Sequence, residues 1–270
     1  MPTDPFQNHD YSKIRQTLVQ FLQDEMERIG LDRGILGLSG GLDSALVCFL
    51  AAEALGPDRV IGVAMPYSSS SPESLEHAKL VARETGVEFL VREITPMVDA
   101  YFAKQVNASS LRRGNKMARE RMSVLYDLSA ERKALVLGTS NKSEICLGYG
   151  TAFGDLACAI NPIGDLFKSE VRHLSRLMGV PDEVIDKAPS ADLWAGQSDE
   201  DELGFSYEAV DPLLGLMFDQ GLTDSQCVEA GYNKSFVHRV RQLNEKSEFK
   251  RRLPVIAKLP GREASSGGSD

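Results

Sequence analysis

Six consecutive residues, Ser39-Gly40-Gly41-Leu42-Asp43-Ser44, lie between a short apolar run and a long helical pattern, and their types suit phosphate chemistry. Adjacent glycines let backbone N–H groups close around an anion with no Cβ in the way, and a helix N-terminus behind them adds roughly half a positive charge. The hydroxyls of Ser39 and Ser44 can donate to phosphate oxygens. Asp43, at the rim, repels bare phosphate and makes sense through a bridging divalent cation. The same residues also fit a Gly-Gly turn capped by Ser39, with Asp43 merely occupying a helix's first turn. No Gly-x-x-x-x-Gly-Lys-Ser/Thr occurs, so a Walker-type kinase or GTPase has no support.

Four later segments bear on the chemistry: Gly138-Thr139-Ser140-Asn141-Lys142-Ser143-Glu144, Tyr149-Gly150-Thr151-Ala152-Phe153-Gly154-Asp155, Asn161-Pro162-Ile163-Gly164-Asp165-Leu166-Phe167-Lys168, and Lys187-Ala188-Pro189-Ser190-Ala191-Asp192-Leu193. The Ser-Gly-Gly-x-Asp-Ser loop resembles the pyrophosphate loop (PP-loop) of the N-type ATP pyrophosphatases. The four segments, in this order, resemble successive motifs of the ammonia-dependent NAD synthetases within that class, over 11–254. The resemblance implies an adenine nucleotide alpha hydrolase-like fold and a ligase that amidates deamido-NAD with ammonia through an adenylated intermediate, releasing AMP and pyrophosphate.

The resemblance further implies that Gly37, Leu38, Ser39, Gly40, Gly41, Leu42, Asp43 and Ser44 hold ATP together with Thr139, Lys168 and Ser190. It implies that Asp43 and Glu144 ligate Mg2+, that Arg119 and Lys250 bind deamido-NAD, and that Asp43 and Lys168 serve catalysis. It also implies a homodimer. The chemistry agrees: carboxylates are hard oxygen ligands, and Lys168 can neutralise charge on departing pyrophosphate. Each residue has a plainer reading beside this one. Glu144, three after Asn141, fits a capping box. Thr139 fits a strand end, Lys168 a solvated first turn, and Arg119 a solvated charge run with Arg112, Arg113, Lys116 and Arg121. Many ammonia-dependent members carry Lys, Asp and His where this chain has Ala152, Ala159 and Phe249. Another small carboxylate or a tRNA base therefore stays open as the adenylated acceptor, and so does a nucleotide-binding module without turnover. The Tyr67-Ser68-Ser69-Ser70-Ser71-Pro72 segment can supply hydroxyls to the nucleotide or simply cap a loop.

The elements that must position these residues alternate. Ile14, Leu18, Phe21, Leu22, Met26 and Ile29 recur at helical spacing and predict a helix over Tyr11–Ile29 closed by Gly30. Its apolar stripe is a candidate subunit contact, and packing within one subunit explains it as well. Buried strands are expected over 34–38, 59–65, 87–92 and 133–138, and helices over Leu42–Leu55, 71–85, from Pro96, from the 112–121 basic stretch to Ala130, and from Asn141. Strands alternating with helices imply an α/β, doubly wound, mostly parallel sheet with helices on both faces and extra helices at each end. Residues 148–164, with four glycines, read as a loop at the sheet edge. The helical remainder is expected to break at 179–181, Pro189, Pro212 and Gly231. Residues 1–262 are expected to form one domain and 263–270 a disordered tail.

Composition sets the partners. A net charge of −9 argues against an unspecific grip on nucleic acid. Cys48, Cys146, Cys158 and Cys227 lack Cys-x-x-Cys spacing, and no secretory segment or membrane span is visible, so a reducing cytoplasm is the expected home. No nucleophilic cysteine for glutamine hydrolysis is evident, which leaves ammonia as the expected nitrogen donor.

Overall fold

The computed structural model describes residues 5–105, 107–190, 192–194, 196–252 and 254–257; the expected tail, 263–270, lies outside them. Helix α1 (Tyr11–Ile29) is capped by the Asp10 side chain and ends at Gly30 in the left-handed region. Strand β1 (Arg33–Gly37) then leads through the glycine loop into α2 (Leu42–Leu55). Strand β2 (Val60–Ala64), helix α3 (Pro72–Thr85), strand β3 (Glu88–Val91) and helix α4 (Thr95–Phe102) continue the alternation. A 23-residue helix, α5 (Ser110–Arg132), returns the chain to β4 (Ala134–Val136).

The four strands form one parallel sheet in the order β3-β2-β1-β4. Register is set by pairs such as Ile35↔Ile61, Ile35↔Val136 and Gly62↔Phe89. Side chains alternate across the sheet, so Ile35 joins the cluster under α4 and α5 while Leu36 joins the cluster under α1, α2 and α7 (Lys168–Met178). All five residues of β2 are buried, as a strand covered on both faces requires. The chain lays down β1, β2 and β3 in one direction and then crosses to the far side of β1 for β4. In such sheets the crevice beyond the carboxyl ends of the two strands flanking that reversal is where ligands bind.

Residues 148–164 run as a loop at the sheet edge, as expected, pinned there by one parallel bridge between Leu137 and Ile160, with Gly138 N–H donating to the Ile160 carbonyl (2.8 Å) and Ala159 N–H to that of Val136 (3.0 Å). One expectation needs correcting: Pro212 does not break its helix. It sits inside α10 (Tyr207–Leu214), which widens into a π-helical turn at Gly215–Asp219. Val210, Leu213 and Leu214 are fully buried around it, so core packing outweighs one lost N–H. They belong to a third cluster with α6 (Lys142–Leu147), α11 (Asp224–Glu229) and α12 (Lys234–Lys246), reached through the short helices α8 (Asp182–Ile185) and α9 (Asp199–Leu203). Of the α1 stripe, Leu22 and Met26 are buried against the α2 side of the core, Ile14, Leu18 and Phe21 pack partly against it, and Ile29 is exposed. No described helix is long and apolar enough to cross a membrane.

The loop between β1 and α2 admits no side chain at Gly40. Its φ is +75°, and a Cβ there would lie 2.0 Å from the Ser74 carbonyl oxygen on α3. Gly40→Ala is expected to destabilise the fold by about 2 kcal/mol or more, from left-handed strain and displacement of α3; urea unfolding of the purified variant measures it.

Candidate active site

The glycine loop holds its own shape. Ser44 Oγ accepts from Ser39 N–H (3.2 Å), approaches Ser39 Oγ (3.1 Å) and donates to the Gly41 carbonyl (3.0 Å), while Gly41 N–H donates to Ser39 Oγ (3.2 Å). The two hydroxyls read from the sequence as phosphate donors thus first hold the turn. Gly41 caps α2 without a side chain, which leaves the first-turn N–H groups of that helix open to an anion.

Three helix N-termini meet beside this loop. Asp43 comes from the first turn of α2, Glu144 from that of α6, and Lys168 is the first residue of α7. The Lys168 ammonium contacts Asp43 Oδ2 and stands 3.7 Å from Glu144 Oε1. It is not solvated: Lys168 is 5% exposed. Asn141 ties the set together, its Nδ2 donating to Asp43 Oδ1 (2.9 Å) and its Oδ1 accepting from Glu144 N–H (3.0 Å). Glu144 Oε2 returns the contact by accepting from Asn141 N–H (3.3 Å), which completes the capping box. The capping reading and the cluster reading of Glu144 therefore hold together, through different oxygens. Burial, with the adjacent Asp43 carboxylate, pushes the Glu144 carboxyl well above its usual range despite the opposing pull of Lys168. Burial works against charge on Lys168, but Asp43 and Glu144 outweigh it and hold the ammonium above the ordinary lysine value.

A cleft of about 610 Å³ opens over this cluster at the carboxyl ends of β1 and β4. Gly37, Leu38, Ser39, Gly41, Leu42, Asp43, Ser44, Thr139, Glu144, Lys168, Ser190 and Lys250 line it. Gly40 lies behind them against α3. Lys250 donates to the carbonyls of Gly148 and Gly150 (2.7 Å each), so two of its three donors hold the glycine-rich loop, and burial lowers its pKa.

Arg119 is exposed and stands outside this lining, donating through Nε and Nη2 to the Ala152 carbonyl (3.3 and 3.2 Å). Two residues on, Arg121 points the other way, as positions i and i+2 of a helix must. It lines the cleft and is buried deeply enough to lower its pKa, and only Nε has a described partner, the Met65 carbonyl at 3.0 Å. Sequence reasoning passed over Arg121, yet a signal existed: it falls at helical spacing on the stripe of Gly114, Ala118 and Leu128 that α5 buries. Also passed over were Asn141, and Lys187 and Asp192 within a quoted segment. Lys187 donates to Ser74 Oγ (2.9 Å), and Asp192 accepts from Ser71 N–H (3.1 Å) and Ser74 Oγ (3.0 Å). Ser70 and Ser71 of the serine-rich segment line the cleft, Ser70 also capping Tyr67 N–H (3.2 Å). Cys48 and Cys146 are thiols pushed by burial to about 11, which marks them as core residues.

The sequence model described as NAD synthase matches residues 14–254. The chain belongs to the NAD synthase family. Among its relatives, the NH(3)-dependent NAD(+) synthetase of Trichlorobacter lovleyi is 59% identical over 249 residues, 92% of this chain and 91% of that one. Two solved structures share the fold closely. The NMN synthetase of Francisella tularensis superposes with a TM-score of 0.82 at 31% identity, covering 93% of this chain and all of that one. The NH3-dependent NAD synthetase of Campylobacter jejuni gives 0.79 at 35% identity with the same coverage. Within this family member, Arg121→Met is expected to weaken binding of ATP or of the acceptor about tenfold, near 1.4 kcal/mol, with little change in melting temperature. Calorimetric titration checks this, and unchanged affinities would reduce Arg121 to a prop for Met65.

Proposed function

We propose that the chain is a ligase that amidates deamido-NAD to NAD with ammonia, using ATP as co-substrate and releasing AMP and pyrophosphate. The observation that carries this reading is the convergence of Asp43, Glu144 and Lys168 beside the N-terminus of α2, which has no side-chain cap, at the sheet's switch point. The triphosphate would lie along the glycine loop, its charge met by the α2 N-terminus and Lys168. The nicotinate carboxylate is already ionised, so attack on the α-phosphorus needs no general base from the protein. Positioning and charge stabilisation are what these residues supply, with Lys168 countering charge on the leaving pyrophosphate. Ammonia then displaces AMP from the adenylate.

Asp43 and Glu144 suit Mg2+ and would hold it. They are hard oxygen donors that line the cleft and both approach the Lys168 ammonium; among the described residues no group of three or more acidic, histidine or cysteine side chains could hold an ion by itself, so phosphate and water would complete the coordination. When bound, the ion would screen phosphate charge and polarise a phosphoryl oxygen. We further propose a homodimer in which Arg119, exposed outside the cleft, reaches substrate held by the other subunit, a cytoplasmic setting, and residues 1–262 as the catalytic unit.

Ala152, Ala159 and Phe249, together with the likeness to an NMN synthetase, support one second reading: the acceptor is the mononucleotide, deamido-NMN. Ala152 offers only its carbonyl, to Arg119, and the Phe249 ring is 68% exposed. Purified protein with ATP, magnesium and ammonium is expected to convert deamido-NAD to NAD with equimolar AMP and pyrophosphate, and to use glutamine poorly. Preference for deamido-NMN would move the assignment to the second reading, and no amide from either acceptor would remove both. Asp43→Ala and Glu144→Ala are each expected to lower turnover by about a thousandfold or more with the fold retained; normal turnover in both would overturn their role.

A further inference from the structure

The buried carboxylate of Asp211 takes no direct part in the chemistry just described, yet the two helices that carry Glu144 and Lys168 both begin against it. Asp211 is fully buried in α10. Its Oδ1 accepts from Ser143 Oγ at 2.6 Å, and its Oδ2 accepts from Ser169 N–H at 2.8 Å and Ser169 Oγ at 2.7 Å. Ser143 immediately precedes Glu144, and Ser169 immediately follows Lys168. Ser143 Oγ in turn accepts from Lys168 N–H at 2.9 Å, so one hydroxyl joins Asp211 to the lysine's own backbone. A single anion thus holds the first turns of α6 and α7 at a fixed separation, and both helix dipoles favour it there.

We propose that Asp211 is a positioning residue: by clamping Ser143 and Ser169 it sets where the Lys168 ammonium and the Glu144 carboxylate stand relative to Asp43. This rests on the amidation reading above. A carboxylate that merely joined the C-terminal helices to the rest of the core could bond any exposed backbone donors. This one engages the direct neighbours of the two residues that face Asp43. Burial pushes the carboxyl up to about 6 against the hydrogen bonds that it accepts, so the clamp keeps its anion near neutral pH. Asn141, holding Asp43 from the other side, completes a frame in which each of the three charged groups is fixed through a partner that does not face the cleft centre.

The test compares Asp211→Asn, which preserves shape and loses acceptor capacity, with the milder Ser143→Ala and with the double variant. In protein that remains folded by circular dichroism, Asp211→Asn is expected to lower kcat by about a hundredfold, as small misplacements of catalytic groups do, while the KM for ATP changes less than about threefold. The magnesium concentration that half-saturates ATP binding, read by calorimetry without any acceptor, is expected to rise. If Asp211 acts through Ser143, the double variant loses no more kcat than Asp211→Asn alone. A folded Asp211→Asn with wild-type kcat and magnesium dependence overturns the inference, as does full additivity in the double variant. If Asp211→Asn does not fold, a Ser143→Ala variant with unchanged kcat and unchanged magnesium dependence overturns it. Failure of the wild-type protein to amidate either acceptor strikes the functional reading instead, and the magnesium titration of ATP binding still decides the role of Asp211.

Discussion

An ammonium group taken out of water must be met by anions or lose its proton, and the site is arranged around that requirement at Lys168. Its counter-ions come from the first turns of two other helices, where negative charge is already favoured. The parallel sheet makes the meeting possible. Because β1 and β4 flank the reversal of strand order, the elements that follow them, the glycine loop with α2 and the 138–141 turn with α6, open side by side over one crevice. Helix α7 then packs on α2 through the core that includes Val171 and Leu174, which brings Lys168 to the same point.

Two carboxylates beside one lysine leave the cluster with an excess of negative charge. That excess is costly in a buried place and explains why the Glu144 carboxyl is pushed upward. A second cation would relieve it, which is the physical argument behind the proposed divalent ion. The surrounding polar groups are committed to holding still: Ser39 and Ser44 to each other, Lys250 to two carbonyls, Asn141 to both Asp43 and Glu144. A site preorganised in this way meets developing charge without rearranging at the moment of reaction.

Much of the scaffold was legible because its signals are local. Helices Tyr11–Ile29 and Leu42–Leu55 occupy the expected residues, since a helical apolar pattern and a following glycine mark both ends. The first strand lies one residue earlier than expected and the other three are two or three residues shorter, because pairing rather than apolar content decides where a strand stops. What stayed hidden depends on long-range contact. Nothing within a few residues of Pro212 says that a core will hold its helix together. The pairing of Ile160 with Leu137 appears only once the sheet exists. Of Arg119 and Arg121, the choice of which faces inward turned on a burial stripe that a run of charges obscures. Asp211 gave no signal at all, as its partners lie 68 and 42 positions away.

Those separations bear on how the chain comes together during synthesis. The four strands are encoded before residue 137, but the counter-ion of Asp43 arrives 125 residues after it, and the residue that braces both Ser143 and Ser169 arrives later still. A nascent chain with its four strands complete therefore still carries α2 with the α7 face uncovered, an apolar surface open to self-association until residues 168–178 emerge. Closing that face and neutralising Asp43 are one event, the docking of α7. The charged cluster forms in the same step that covers α2, and a chain that stalls before it presents neither.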